Sequence, residues 1–540
     1  MQETDRQAIR VLPQVSFPVR LLRRDRTAGE AAATPRHQIQ PVSAQLSSTG
    51  ELRFSLQNVW MLLAFTAAGF AVMGYHPGLE DDAVYLSAVK SRLNPLLYPH
   101  DAQFFLVQLQ ATVFDKAMAA FVRLTTIPVD YAELLWQLIA VALIVFACWR
   151  IARRLFPEPR AHWAGVAMVS SMLTLPVAGT ALNLADQHLH PRNLATALIL
   201  LAVSRSLDKR SWQAAALLLV AALLHPIMAA LGISLCCFLT LALSQRLQGL
   251  LRSRRASLVA VVPLGWIFEP PSASWRQALA TRRYYFLFRW TWYEWLGAIA
   301  PLVLFWLLRK WAQRRGDALL ARFALAVVMY GVFQQAVAMV IDGLPGLIRI
   351  TPLQPMRFLH LVYFFLALIA GCFAGKYLLG ASAWRWAAYL LVINLGMFAG
   401  QRAMFGSSPH LEIPGREPAN PWLQAFAWIR QNTPLDAYFA MDPDYLASPG
   451  EDFHSFRALA ERSQLADAIK DAAVVTQVPE LGPAWRQQVA AAQGWSHFQV
   501  ADFRRLRTQF GVDWVLVSYP APNGLDCRWH NASLAVCRIP

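Results

Sequence analysis

The stretch Gln57-Asn-Val-Trp-Met-Leu-Leu-Ala-Phe-Thr-Ala-Ala-Gly-Phe-Ala-Val-Met-Gly-Tyr75, followed at once by His76-Pro-Gly-Leu-Glu80-Asp81-Asp82, decides the class of this chain. Its first part is long and apolar enough to cross a membrane, which takes roughly 20 mostly apolar residues. Its second part sets three consecutive acids at the mouth of that segment. Charge in such a place is costly to keep and is not explained by packing.

The same apolar pattern recurs along the chain. Candidate spans lie at about 57–75, 132–149, 162–181, 193–205, 212–224, 226–244, 257–268, 293–308, 318–341, 357–375 and 386–402, about eleven in all. Those at 193–205, 212–224 and 257–268 are short, as tilted, broken or wrongly bounded spans would be. Composition agrees: 56% of residues are hydrophobic and only 15% charged, too apolar for an ordinary soluble chain of 540 residues.

The net charge of +16 is unevenly spread. If the spans alternate, one set of connecting segments is 1–56, 150–161, 205–211, 245–256, 309–317 with Arg322, and 376–385. These hold about 26 of the 49 Lys and Arg but only about 8 of the 33 acids. Such a bias marks the cytoplasmic side, with the N-terminus inside and the C-terminus outside. It argues against nucleic acid as a partner and for membrane lipids. Arg150, Arg153 and Arg154, then Arg252, Arg254 and Arg255, then Arg309, Lys310, Arg314 and Arg315 repeat it at successive turns.

Three regions follow. Residues 1–56 read as a disordered basic cytoplasmic tail without apolar periodicity. Residues 57–402 form the helical bundle, whose outer loop 76–130 carries amphipathic segments at 104–114 and 118–123, suited to lie at the interface. Residues 410–540 change character. Pro421–Arg430 has helical spacing, as do 483–493 and 499–510, whereas 438–441, 474–478 and 513–518 read as strands, predicting a small α/β domain on the outer face. Cys527 and Cys537 fall there, flanking a hairpin turn and able to form a disulfide in an oxidising compartment. Cys148, Cys236, Cys237 and Cys372 lie in spans as packing residues. No phosphate-binding glycine loop, dinucleotide fingerprint or nucleophile elbow appears.

With a cytoplasmic N-terminus, acids and interfacial helices in the first outer loop, and an outer C-terminal domain, the chain resembles the GT-C superfamily of polytopic glycosyltransferases that use polyprenyl-phosphate sugars. It is also similar to uncharacterised bacterial membrane proteins of that fold. The residues that carry the resemblance are Glu80-Asp-Asp82, the Asp186–Arg192 loop and Trp428-Ile-Arg-Gln-Asn-Thr-Pro434. It implies an enzyme of a bacterial inner membrane that moves a sugar from a polyprenyl-phosphate donor to an acceptor on the outer face. Nothing in the sequence sets the oligomeric state.

That reaction needs a carboxylate to take the acceptor's proton and cations or metal to meet the leaving phosphate. The family pattern makes Asp81 or Asp82 the base, with Glu80 shaping the site or helping to hold a metal. The bland alternative is that all three acids favour the first turn of the next helix. In Asp186-Gln-His-Leu-His-Pro-Arg192, the alternation of Asp186, His188 and His190 offers polar lining or ligands for a divalent ion such as magnesium or manganese, with Asp186 as the metal candidate. Arg192 has a fork suited to phosphate. His225, before Pro226 in an apolar run, marks an outer turn on the same side. Arg349, Gln354, Arg357 and His360 occupy a Pro- and Gly-punctuated loop and would clamp phosphate or snorkel to lipid. Arg282–Tyr293 reads as an interfacial aromatic belt, and a lipid-carrier groove would use the same residues. The competing functions are a transporter or flippase of a lipid-linked or small polar substrate, and a non-catalytic component of surface-polymer assembly. A transporter would concentrate polar breaks at the bilayer midplane; here they gather at helix ends.

Overall fold

Helices form where the sequence offers long apolar runs, with proline mostly confined to their first turns and Pro301 inside one of them. This computed structural model describes residues 55–244 and 271–540. The basic tail up to residue 54, the span read at 257–268 and the group Arg252, Arg254 and Arg255 lie outside the described residues. Within them, six segments are long and apolar enough to cross a membrane: Leu56–Met73, Val129–Leu155, Pro226–Leu243, Trp292–Arg314, Ala318–Gly343 and Pro345–Leu379. The last is irregular. Its 3-10 turns Pro345–Leu353 and Pro355–Phe358 precede the α-helix Leu359–Phe373, because Pro352 and Pro355 lack the N–H that a helix needs.

Of the ten expected spans that fall on described residues, four are too short or too polar to count among these six, for local causes. The segment read as 162–181 is helical only over Pro159–Ser171, whose 13 residues reach about 20 Å. Pro176 then opens a short antiparallel hairpin, β1 Pro176–Val177 with β2 Leu182–Asn183. The helices Pro191–Leu207 and Ser211–Leu224 stop at 17 and 14 residues. Ala383–Met404 is long enough, but carries Arg385, Asn394, Gln401 and Arg402.

The bundle core is built from Trp149, Ile144, Leu200, Val203, Phe364, Phe365 and Leu368, all buried. A close crossing joins the helices Pro159–Ser171 and Leu359–Phe373. There Gly165 and Gly371 meet: a Cβ on Gly371 would lie 2.6 Å from the Ala164 carbonyl oxygen and 2.7 Å from Gly165 Cα. Only small residues let two backbones approach so closely. Outward, Trp292, Leu296, Val303 and Leu307 on one helix and Leu391, Val392 and Leu395 on another are exposed. A soluble surface rarely carries so continuous an apolar face, so the bundle reads as membrane-embedded.

The C-terminal region forms a five-stranded sheet in the order β4-β3-β5-β7-β6. The strands are β3 Tyr438–Ala440, β4 Ser463–Gln464, β5 Trp514–Ser518, β6 Asp526–His530 and β7 Leu534–Arg538. β3 is parallel to β4 and β5, and β7 is antiparallel to β5 and β6. Side chains alternate between faces. Phe439, Trp514, Leu516 and Val536 pack under the helices Pro421–Asn432 and Phe456–Ala460, whereas Tyr438, Ala440, Val515 and Val517 meet Phe503 and Leu506 of Val500–Phe510. A disulfide joins Cys527 to Cys537 across β6 and β7. One expected strand is not there. Residues 474–477 belong to the helix Lys470–Gln477, which Val478 caps, and Val474 and Val475 are buried.

Backbone hydrogen bonds sew the acidic segment to this region. The Glu412 N–H donates to the Tyr75 carbonyl (2.9 Å), the Ser455 N–H to the Gly78 carbonyl (2.7 Å) and the Glu80 N–H to the Phe453 carbonyl (2.9 Å). Gly78 has φ +77°, and a Cβ there would come within 2.5 Å of Leu459 Cγ. Glycine is required at this close approach. Farther along, Phe104 of the first loop packs with Trp275 and Trp485 in one buried cluster. The amphipathic segments of that loop are the helix Gln103–Leu106, a 3-10 turn and the helix Phe114–Thr125, which buries Phe114 and Met118.

Candidate functional site

The acids sit in a single 3-10 turn, Glu80–Ala83, and its geometry gives them three different environments. Glu80 is exposed. Asp82 is buried, and its Oδ2 accepts the Gly78 N–H at 2.9 Å. Burial, reinforced by the Glu133 carboxyl, raises the Asp82 carboxyl well above the usual range. Asp81 lies between these extremes, half-buried, with both oxygens engaged. Its Oδ1 takes the Lys470 ammonium at 3.1 Å and its Oδ2 faces His190 Nε2 at 3.3 Å. Burial pushes the Asp81 carboxyl up, but Lys470, His190 and Arg192 together outweigh it and hold the group well below the ordinary carboxylate range.

Two helices begin beside it in the same way. His190-Pro191 opens Pro191–Leu207 and His225-Pro226 opens Pro226–Leu243, each with proline in the first turn. In each cap the ring Nδ1 accepts a backbone N–H, from Arg192 at 2.8 Å and from Met228 at 3.4 Å. Accepting at Nδ1 puts the ring proton on Nε2, so His190 donates to Asp81. The rings are 6.0 Å apart, and burial keeps both on the neutral side. Neither helix has an acid in its first turn. Their positive ends therefore converge without a counter-charge of their own.

Asp186 is committed elsewhere. The Arg192 fork donates to it at 3.0 and 2.5 Å, and burial, opposed and overcome by Arg192, leaves the carboxyl strongly depressed. Arg192 is thus a buried structural partner rather than an unpaired phosphate ligand. His188 is buried with neither ring nitrogen hydrogen-bonded, and burial lowers it to about 3. His360 donates from Nε2 to the Leu184 carbonyl at 2.9 Å.

The remaining candidates divide. Gln354 and Arg357 line a small cavity with Tyr284, Tyr285 and Asp342, and the Arg357 charge reaches both Tyr85 and His225. Arg357 Nε is buried without a partner. Arg349 is half-buried earlier on the same segment. Two residues that sequence reasoning did not select join the cluster. One is Lys470. The other is Arg282, which is buried, acts electrostatically on Lys470, and leaves Nε and Nη2 without hydrogen-bond partners. No local motif marks Lys470, whereas Arg282 opens the basic and aromatic stretch 282–293.

Magnesium or manganese does not fit Asp81 and Asp186 as they stand. Such ions need several free carboxylate or carbonyl oxygens, and these oxygens already face Lys470, His190 and Arg192. Among the described residues, the His, Cys and carboxylate donors gathered closely enough for a metal are His76, Glu412 and His454. Asp186 is not among them.

No protein-family profile matches the chain, and no curated protein matches it in sequence. Solved structures of an oligosaccharyltransferase from Archaeoglobus fulgidus are similar to it. The apo form has a TM-score of 0.42 at 10% identity, over 85% of this chain and 69% of that one. The complex of the enzyme, AglB, with an inhibitory peptide and a dolichol-phosphate gives 0.44 at 12% identity, over 86% and 69%. The complex with Zn and sulfate gives 0.39 at 11% identity, over 85% and 68%.

Proposed function

We propose that this chain is a GT-C-like membrane glycosyltransferase that moves a sugar from a polyprenyl-phosphate donor to an acceptor hydroxyl on the outer face of a bacterial inner membrane. The observation that carries the reading is the pairing of Asp81 with Lys470, at a helix-end cluster where Arg282 and Arg357 keep unpaired guanidinium donors. An unpartnered buried donor is expensive and favours an anion that satisfies it. A phosphate meeting Lys470, Arg282 and Arg357, near two helix N-termini, supplies that anion.

In this reading the donor phosphate competes with Asp81 for Lys470. As Lys470 turns to the phosphate, Asp81 loses its strongest neutralising partner and its basicity rises. The acceptor oxygen then attacks the anomeric carbon and gives its proton to Asp81. The bond from that carbon to the phosphate oxygen breaks, and polyprenyl phosphate leaves with the electron pair. His190 holds the Asp81 carboxylate in orientation, and Asp82, which accepts the Gly78 N–H, anchors the turn. The positive-inside bias of the connecting segments supports the orientation.

The test uses membranes containing the full chain and a polyprenyl-phosphate sugar labelled in the sugar. Transfer predicts loss of label from the lipid fraction into an acceptor, dependent on the chain. Label that crosses the bilayer still joined to lipid would instead establish the flippase reading and overturn this one.

A further inference from the structure

We infer that His76, Glu412 and His454 form a binding site for one divalent transition-metal ion of the zinc class, separate from Asp81 and independent of the sugar-transfer reading. The three side chains come from three parts of the chain: the turn after the first helix, the segment leading into the C-terminal region, and the loop before the helix Phe456–Ala460. Each offers one donor atom, and all three donors lie within 4.8 Å of one another. Glu412 Oε1 is 3.2 Å from His76 Nδ1 and 3.1 Å from His454 Nε2. Ligands about 2.1 Å from a tetrahedral ion sit roughly 3.4 Å apart, so an ion fits with small movements.

The surroundings match what such an ion requires. His454 points Nδ1 at the Glu451 carbonyl oxygen, 3.0 Å away. That contact keeps a proton on Nδ1, the outer partner that ligating histidines usually have, so Nε2, which faces Glu412 Oε2 at 3.0 Å, is the nitrogen that an ion would take. His76 and His454 are both fully buried, and the His76 ring stacks on Phe405 with centroids 4.1 Å apart. His76 Nε2 has no hydrogen-bond partner. The Glu451 carboxyl beside them is also fully buried, with neither oxygen hydrogen-bonded. Its two unpartnered oxygens leave a buried polar position beside the three donors that a bound ion or its water would satisfy. Access exists as well. Glu412 lines a cavity of about 590 Å³ together with Pro77, Leu411 and Ile413.

Two imidazoles and one carboxylate suit zinc and not magnesium, whose ligands are oxygen atoms. Three protein ligands leave a fourth position for water. The ion would fasten the segment just before Asp81 to the same region that carries Lys470, so metal binding would set the distance between those two residues.

The experiment is metal analysis of the full-length chain purified in detergent, with chelation, zinc re-addition and cobalt substitution. About one zinc per chain, a melting temperature that falls on chelation and recovers with zinc, and the absorption bands of tetrahedral cobalt are expected. Glu412→Gln and His454→Gln should each weaken zinc binding by more than about 100-fold, since even outer-shell losses cost 10–100-fold. If a variant fails to fold, the wild-type cobalt spectrum still decides. Metal well below one per chain with no effect of chelation, or cobalt spectra of an octahedral hydrated ion, would show the trio to be only an ion pair and overturn the inference.

Discussion

Lys470 Nζ stands 3.1 Å from Asp81 Oδ1, joining two residues 389 positions apart in the chain. The contact ties the C-terminal region to the acidic turn and holds Asp81 ionised. Lys470→Met should therefore let the Asp81 carboxyl rise toward its ordinary value. A depressed carboxyl stays ionised to low pH, so its rise moves the acid limb of the kcat/KM profile to higher pH. The check is the profile of the variant against wild type; an unmoved acid limb would sever Asp81 from the rate.

Asp82 behaves in the opposite sense. Its folded value lies above the unfolded value near 4, so the native state binds the extra proton and stability falls as pH rises above that point. Asp82→Asn cannot ionise and should shed this loss. Melting temperatures should agree most closely near pH 4 and diverge in favour of the variant toward pH 8. A wild-type protein that gains stability over that range relative to Asp82→Asn would refute the raised Asp82 carboxyl.

Arg282 and Arg357 should act on donor binding. Each lost charge-assisted hydrogen bond is worth about 1.5–3 kcal/mol, or about 10–100-fold. Arg282→Met and Arg357→Met should weaken binding of a polyprenyl phosphate in detergent by that factor and leave the melting temperature of the free chain close to wild type. Unchanged affinity in both would remove the cationic wall.

The glycine crossing predicts a failure of packing. Gly371→Leu places a branched side chain against the Ala164 carbonyl and Gly165. Overpacking of this kind costs about 1–3 kcal/mol or more. Thermal denaturation in detergent should show the loss, whereas Gly396→Leu, which has open space at its Cβ, should be mild.

The apolar runs made most helices legible, and their bounds slipped where a local residue overrode the pattern. Pro176 cut one expected span short. The run Val474-Val-Thr-Gln-Val478 satisfies strand propensity, yet it is helical through Gln477, with Val475 buried beside Trp275 and Trp485 and Val474 among Phe105 and Phe114. Tertiary packing decided, not propensity. At the site, Asp81, Asp186 and His190 stood out because acids and imidazoles cluster locally in sequence. Lys470 and Arg282 carry no such signal. Nor do His76 and Glu412, which lie 336 residues apart, a spacing that no metal motif uses.

The most direct measurement compares Asp81→Asn with Asp82→Asn in the labelled-donor transfer assay, at matched amounts of folded protein. Loss of a general base costs about 10²–10⁴-fold in rate. The account predicts at least the lower figure for Asp81→Asn and a change of only a few-fold for Asp82→Asn. Full transfer by Asp81→Asn, or a greater loss in Asp82→Asn, would contradict it.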